Sequence, residues 1–251
     1  LALPTGGNSP QAILLDIEGT STPIDFVYRT LFPYARRELK NFLVDHREDF
    51  AVRDDMDALR KQHAKDANEQ LNPPHWIQDT PQAELASATE FALWLMDRDS
   101  KCAALKSLQG KIWQEGYQSG ELRGEVYPEV PAALARWVAQ GKTICIFSSG
   151  SVLAQRLLFG STAAGDLNHF IHANFDTTVG TKRSPESYAR IAETLAITPA
   201  NFLFISDVAK ELDAAQEAGM RTALCERTEP AGRRATTHLV IHTFDEILAG
   251  K

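Results

Sequence analysis

Ala12-Ile13-Leu14-Leu15-Asp16-Ile17-Glu18-Gly19-Thr20 is the stretch on which the reading of this chain turns. Four apolar residues in succession spell a short strand buried on both faces. Two carboxylates follow at once. Side chains of extended backbone repeat every second residue, so Asp16 and Glu18 can face the same way. Gly19, without a Cβ, lets the chain turn sharply off the strand. Carboxylates about 4 Å apart repel by roughly 4 kcal/mol at an effective dielectric near 20. Such a pair calls for a cation between its members or a proton on one of them. Two solvated acids in a turn are the alternative, and for this stretch in isolation the favoured one.

The chain has 251 residues, enough for one large domain or two smaller ones, and its 43% hydrophobic and 24% charged content suits a soluble globular protein. A net charge of −7 argues against nucleic acid and against a polybasic membrane anchor as partners, so an anionic substrate must be held by local cations. Cys102, Cys145 and Cys225 are odd in number, far apart and without metal-ligand spacing, which predicts buried free thiols in a reducing compartment. Leu1 to Pro10 has neither a basic start nor a long apolar run, so no signal peptide is expected, and no segment approaches the length of a membrane span. A cytoplasmic, monomeric enzyme is the expectation.

Beyond Thr20 the periodicity turns helical and stays so for about a hundred residues. Tyr28, Leu31, Phe32, Ala35, Leu39, Phe42 and Leu43 mark one helical stripe, and Pro33 within it either kinks that helix or starts a new one. Further amphipathic stretches run from Phe50 to Ala64, from Gln82 to Asp97 and from Lys101 to Tyr117, with Asn72-Pro73-Pro74 as a break. No β-rich segment precedes Glu125. Residues 22–124 therefore read as an all-helical insertion, leaving 11–21 and 125–251 as the other domain.

From Tyr127 onward strands and helices alternate. A helix from Pro131 to Ala139 closes at Gly141, and Thr143 to Phe147 is a buried strand followed by Ser148-Ser149-Gly150-Ser151 and another helix. Phe170 to Phe175 reads as a strand, Ser184 to Ala196 as a helix with Pro185 in its first turn, and Asn201 to Ile205 as a strand leading to Ser206-Asp207 and a helix. Thr222 to Cys225 and Leu239 to His242 add two short strands. The alternation predicts an α/β fold, a parallel sheet with helices on both faces, whose ligand sits at the carboxyl ends of the strands. Asp16, Glu18, Ser148, Ser149 and Asp207 all follow such ends, and Lys182 lies in the loop before a helix. Acids for a metal, hydroxyls, N–H groups near a helix start and a cation suit the transfer of a phosphoryl group.

On these residues the chain resembles the haloacid dehalogenase superfamily of phosphatases over most of its length. The superfamily's strand ending D-x-D-G-[TS] is matched by Asp16-Ile17-Glu18-Gly19-Thr20, its Ser or Thr after an apolar strand by Phe147-Ser148, and its lone Lys by Lys182. Its acidic run is matched by Ser206-Asp207-Val208-Ala209-Lys210-Glu211. Glu18 departs from the usual Asp. With it, the string from Asp16 to Ile24, Phe26-Val27, Phe147 to Ser151 and Ser184-Pro185-Glu186-Ser187-Tyr188 are similar to the enolase-phosphatases of methionine salvage. The resemblance implies a Rossmann-like core with a helical C1-type cap. It also implies one Mg2+ per subunit and the substrate 2,3-diketo-5-methylthiopentyl-1-phosphate, enolised and dephosphorylated to an acireductone. A phosphatase of another small phosphorylated metabolite, without enolisation, is the alternative.

Carried onto this chain, the resemblance makes Asp16 the nucleophile that forms an aspartyl-phosphate. Glu18 would protonate the leaving oxygen and later activate water, or offer its main-chain carbonyl to the metal. Asp16, Glu18 and Asp207 form the implied metal set, with Glu211 acting through water, by holding Lys182, or as an ordinary salt bridge. Ser148 and Ser149 would bind phosphate oxygens, and Lys182, with Arg183 as its rival, would neutralise the transferring group. The base for enolisation is Glu18 or a cap residue. Ile24 to Tyr28 would cover the methylthio end, with Phe26 packed against sulfur or else in the core. The histidines read as scattered: His169 and His172 would face opposite ways on a strand, and no His is expected to bind metal. Trp76, Trp94, Trp113 and Trp137 read as helix-packing residues.

Overall fold

All four side chains of β1 (Ala12–Leu15) are shut off from solvent, as befits a central strand with neighbours on both edges. The computed structural model describes residues 9–228 and 236–249, so most of the lead-in read against a signal peptide lies outside them. β2 (Thr143–Phe147), β3 (Ala173–Phe175), β4 (Phe202–Ser206), β5 (Arg221–Cys225) and β6 (Leu239–Ile241) complete a sheet in the order β3-β2-β1-β4-β5-β6. Every pairing is parallel. Successive connections therefore run to one side of β1 and then to the other, which opens a crevice at the strand ends beside it.

The contacts divide the described chain into two compact units, one of residues 1–27 and 123–251 and one of Tyr28–Leu122. The sequence instead sets the insertion at 22–124. In the first unit, Leu14, Phe147 and Phe204 of the sheet pack with Tyr188 and Ile191 of α8 (Pro185–Thr194) and Leu212 and Ala215 of α9 (Ala209–Glu217). Strand alternation leaves Ile13, Leu15 and Ile146, also fully buried, for the opposite face, where α6 (Val130–Ala139) packs on β2. Burying each such side chain contributes about 1.5–3 kcal/mol.

The second unit is helical throughout its regular structure: α2 (Phe32–Asp45), α3 (Phe50–Asn68), α4 (Pro81–Met96) and α5 (Ala103–Ser119). Of the two alternatives for Pro33, a kink or a new helix, the structure takes the second: Pro33 sits in the first turn of α2, directly after a π-helical turn at Val27–Leu31. The indole of Trp113 donates to the Leu31 carbonyl at 2.8 Å, and Thr80 Oγ1 caps α4 by accepting from the Ala83 N–H at 3.2 Å. Trp94 stacks on Phe91 and Trp137 donates to the Ile247 carbonyl, so these aromatics are packing residues. Among the described residues no helix is long and apolar enough to cross a membrane.

One strand is shorter than its sequence predicts. Asn168–Phe170 is a 3-10 turn, held by the Asp166 carboxylate accepting from the Asn168 N–H at 2.8 Å, and β3 begins only at Ala173. His169 and His172 therefore precede the strand and do not alternate across it.

Candidate active site

The site is assembled by strand register. Leu15 pairs with Ile146 on one edge of β1 and with Ile205 on the other, so three strands run out level. The residues beyond their ends, Asp16, Ser148 and Asp207, are delivered to one edge of the sheet.

Asp16 is 3% exposed and Lys182 8% exposed, and the Lys182 ammonium lies 2.5 Å from Asp16 Oδ1. The same ammonium lies 2.6 Å from Glu211 Oε2. Burial works against the charge on Lys182, but the two carboxylates outweigh it and hold its pKa above the usual lysine range. Asp16 Oδ1 also accepts from the Ile17 N–H at 2.8 Å, while Oδ2 receives the Ser206 hydroxyl at 3.0 Å. That hydroxyl also lies 3.2 Å from Glu211 Oε2, and its single proton serves one carboxylate at a time. The Tyr188 hydroxyl donates to the Lys182 carbonyl at 2.7 Å, and its ring packs against Phe147 and Phe204, so the sheet core fixes the lysine's backbone.

Glu18 accepts from Ser148 Oγ at 3.3 Å, and Ser148 Oγ in turn accepts from the Gly150 N–H at 3.0 Å. Burial, and then the Asp16 charge, push the Glu18 carboxyl above the ordinary range, which favours a proton on it. Ser148 is fully buried. Its N–H is spent on the Phe175 carbonyl at 3.2 Å, so only its hydroxyl is left to serve a ligand. Ser149 follows on the exposed side of the same turn.

Gly19 has φ +75°, and a Cβ there would stand 2.7 Å from the Asp207 carboxylate carbon. Both the backbone conformation and the closeness of Asp207 therefore require glycine. The Asp207 N–H donates to Thr20 Oγ1 at 3.0 Å, but its Oδ1 is buried without a hydrogen-bond partner. Burial, and then the Asp16 charge, raise the Asp207 carboxyl to about 6. A buried, unpartnered oxygen on one of two mutually repelling acids fits a divalent cation. Among the described residues no three His, Cys, Asp or Glu side chains gather as metal ligands. The Glu18 carboxylate is engaged with Ser148, so Asp16 and Asp207 are the carboxylates that could face a cation.

α9 starts at Ala209 with Val208 as its cap, so Asp207 lies before the helix, and Glu211 reaches the cluster through Lys182 and Ser206. Phe26 is buried, whereas Ile24 and Tyr28 are about half exposed at 49% and 58%. A cavity of about 630 Å³ lies along Gly19 and Asp207, with Ile24, Tyr127, Leu224 and His238 among its walls. Ser206 and Tyr188 are site residues that nothing in the residue types of the sequence singles out. Their signals are position alone, one directly before Asp207 and one four residues into the Ser184-Pro185 string.

Residues 10–219 match the model of the haloacid dehalogenase-like hydrolases. The chain is 46% identical over 235 residues to a protein of Synechococcus elongatus named enolase-phosphatase E1, covering 94% of this chain and 96% of that one. It is 43% identical over 237 residues, again covering 94% and 96%, to a protein of Citrobacter koseri with the same name. Among solved structures, the UTR4 protein of Saccharomyces cerevisiae superimposes with a TM-score of 0.71 at 32% identity, over 93% of this chain and 97% of that one. A dehalogenase at 16% identity and TM-score 0.52 shares the fold.

Proposed function

The chain belongs to the haloacid dehalogenase-like hydrolases and is an enolase-phosphatase among them, and from that premise we propose how its residues divide the chemistry. The substrate is 2,3-diketo-5-methylthiopentyl-1-phosphate, and the products are the acireductone of methionine salvage and phosphate. Asp16 is the nucleophile. Among the described residues its Oδ2 accepts from the neutral Ser206 hydroxyl, and that hydroxyl can turn to Glu211, freeing a lone pair for phosphorus. The P–O bond to the substrate carbon breaks as the bond to Asp16 forms, giving an aspartyl-phosphate.

Glu18 serves both stages. The carbon that loses a proton on enolisation carries the phosphate ester oxygen, so one carboxylate beside the phosphate reaches both atoms. Ionised, Glu18 takes the carbon-bound proton; protonated, it gives a proton to the departing oxygen; ionised again, it activates water against the aspartyl-phosphate. Its raised pKa supports that alternation. Ser148 and Ser149 bind phosphoryl oxygens, and Lys182, paired with Asp16, offsets charge on the transferring group. Asp16, Asp207 and the Glu18 carbonyl would hold a divalent cation, taken to be Mg2+, whose charge supports the phosphoryl and diketone oxygens. The helical insertion takes the part of the cap.

The observation that carries this reading is the meeting of Asp16, Lys182 and Asp207 from three separate loops at level strand ends. Its test is incubation of the protein with the diketo phosphate and Mg2+, following enediol absorbance and phosphate release together. Both signals are expected. Phosphate without enediol would mean a phosphatase of another metabolite, and neither signal would overturn the assignment.

A further inference from the structure

We propose that Arg227 is a positioning residue: its guanidinium grips the Thr20 carbonyl and, through Thr20, sets the Asp207 carboxylate. The inference rests on the reading of Asp16 and Asp207 as the working acids.

Arg227 lies just past β5, separated from Thr20 by 207 positions. Its Nε donates to the Thr20 carbonyl at 3.0 Å, and its Nη2 donates to the same oxygen. Nη1 donates to a Glu129 carboxylate oxygen and, at 3.2 Å, to the His242 carbonyl. The guanidinium carbon also stands 4.0 Å from the Tyr127 ring centroid and 4.8 Å from that of Phe244. With edges bonded, faces stacked and the side chain 10% exposed, this group is immobilised far beyond what a surface arginine needs. Burial opposes the charge on Glu129, but the Arg227 contact together with backbone hydrogen bonds lowers its pKa.

Thr20 is the link. Its carbonyl belongs to Arg227 and its hydroxyl accepts from the Asp207 N–H, in the turn whose glycine faces the Asp207 carboxylate. A second tie comes from the same side, where the Tyr127 N–H donates to the Ser21 carbonyl at 3.0 Å. Four donated hydrogen bonds already engage the guanidinium, so it has little left to offer a phosphate. It acts on the acids and not on the substrate. Lysine cannot replace the planar fork that bonds one oxygen twice while stacking on an aromatic face.

The test compares Arg227→Lys and Arg227→Met with the parent protein in three measurements: Mg2+ binding by calorimetry, kcat and KM, and thermal unfolding. Loss of the supporting contact is expected to weaken Mg2+ binding and lower kcat, each about 10- to 100-fold, with KM within about twofold. Should Arg227→Met fail to fold, Arg227→Lys decides alone. Parental Mg2+ affinity and kcat in a folded Arg227→Lys would overturn the proposal, as would a raised KM with unchanged kcat, the mark of a substrate contact. If the parent protein itself binds no Mg2+, the underlying site reading fails instead.

Discussion

Lys182 Nζ stands 2.5 Å from Asp16 Oδ1 although 166 positions separate the two residues, and both are buried. The same ammonium lies 2.6 Å from Glu211, so one buried cation is shared by two buried acids. Replacing Lys182 with Met leaves two buried acids facing each other, at a stability cost of about 3–5 kcal/mol. Adding Glu211→Gln removes one of those acids. Denaturant unfolding should find the double variant more stable than Lys182→Met alone, and additive losses would show that the three groups are not a unit.

Asp16→Asn keeps the shape of the nucleophile and removes its charge. Phosphate release should fall by roughly 10³-fold or more while circular dichroism stays that of the parent. Turnover near the parental rate would end the aspartyl-phosphate scheme.

Glu18→Gln should separate the two halves of dephosphorylation. An aryl phosphate, whose leaving group needs little help from an acid, still transfers its phosphoryl group to Asp16, but hydrolysis of the intermediate loses its base and slows about 10²–10⁴-fold. Rapid-quench experiments should show a burst of about one phenolate per site followed by a slow phase. A linear time course at the parental rate would contradict the role given to Glu18.

Gly19→Ala places a methyl group against the Asp207 carboxylate at a backbone φ of +75°. The strain should cost more than about 1 kcal/mol, and displacement of Asp207 should weaken Mg2+ binding. Thermal unfolding and calorimetry test the two effects separately.

His46, in the helical unit, has Nδ1 2.7 Å from Asp49 Oδ2 and Nε2 2.6 Å from Glu115 Oε1. The bond to Asp49, with Glu115 in support, raises its pKa above the ordinary 6.5. Its stabilisation is therefore complete below about 6.5 and is lost as pH rises through the higher folded value. The unfolding midpoints of parent and His46→Gln should differ most near about pH 5.5 and converge in alkaline buffer. A gap that widens with pH would show the imidazole to be stabilising as the neutral form.

Much of this arrangement is legible in residue order alone. Ala12 to Leu15, Thr143 to Phe147 and Phe202 to Ile205 are apolar runs that have no stable place except inside a sheet, and the helical repeat of 28–119 cannot be laid out as strand. Asp16, Glu18, Ser148 and Asp207 stand directly after such runs, so their common edge follows from the parallel topology. The register of non-adjacent strands and the packing beneath α8 decided the rest: that Lys182 lies between Asp16 and Glu211, that Ser206 is shared by two acids, that Arg227 reaches Thr20. Local periodicity selects helices and strands because each depends on neighbours a few residues away. Which buried charge meets which depends on side chains brought together from more than a hundred residues apart, and only the closed core determines that.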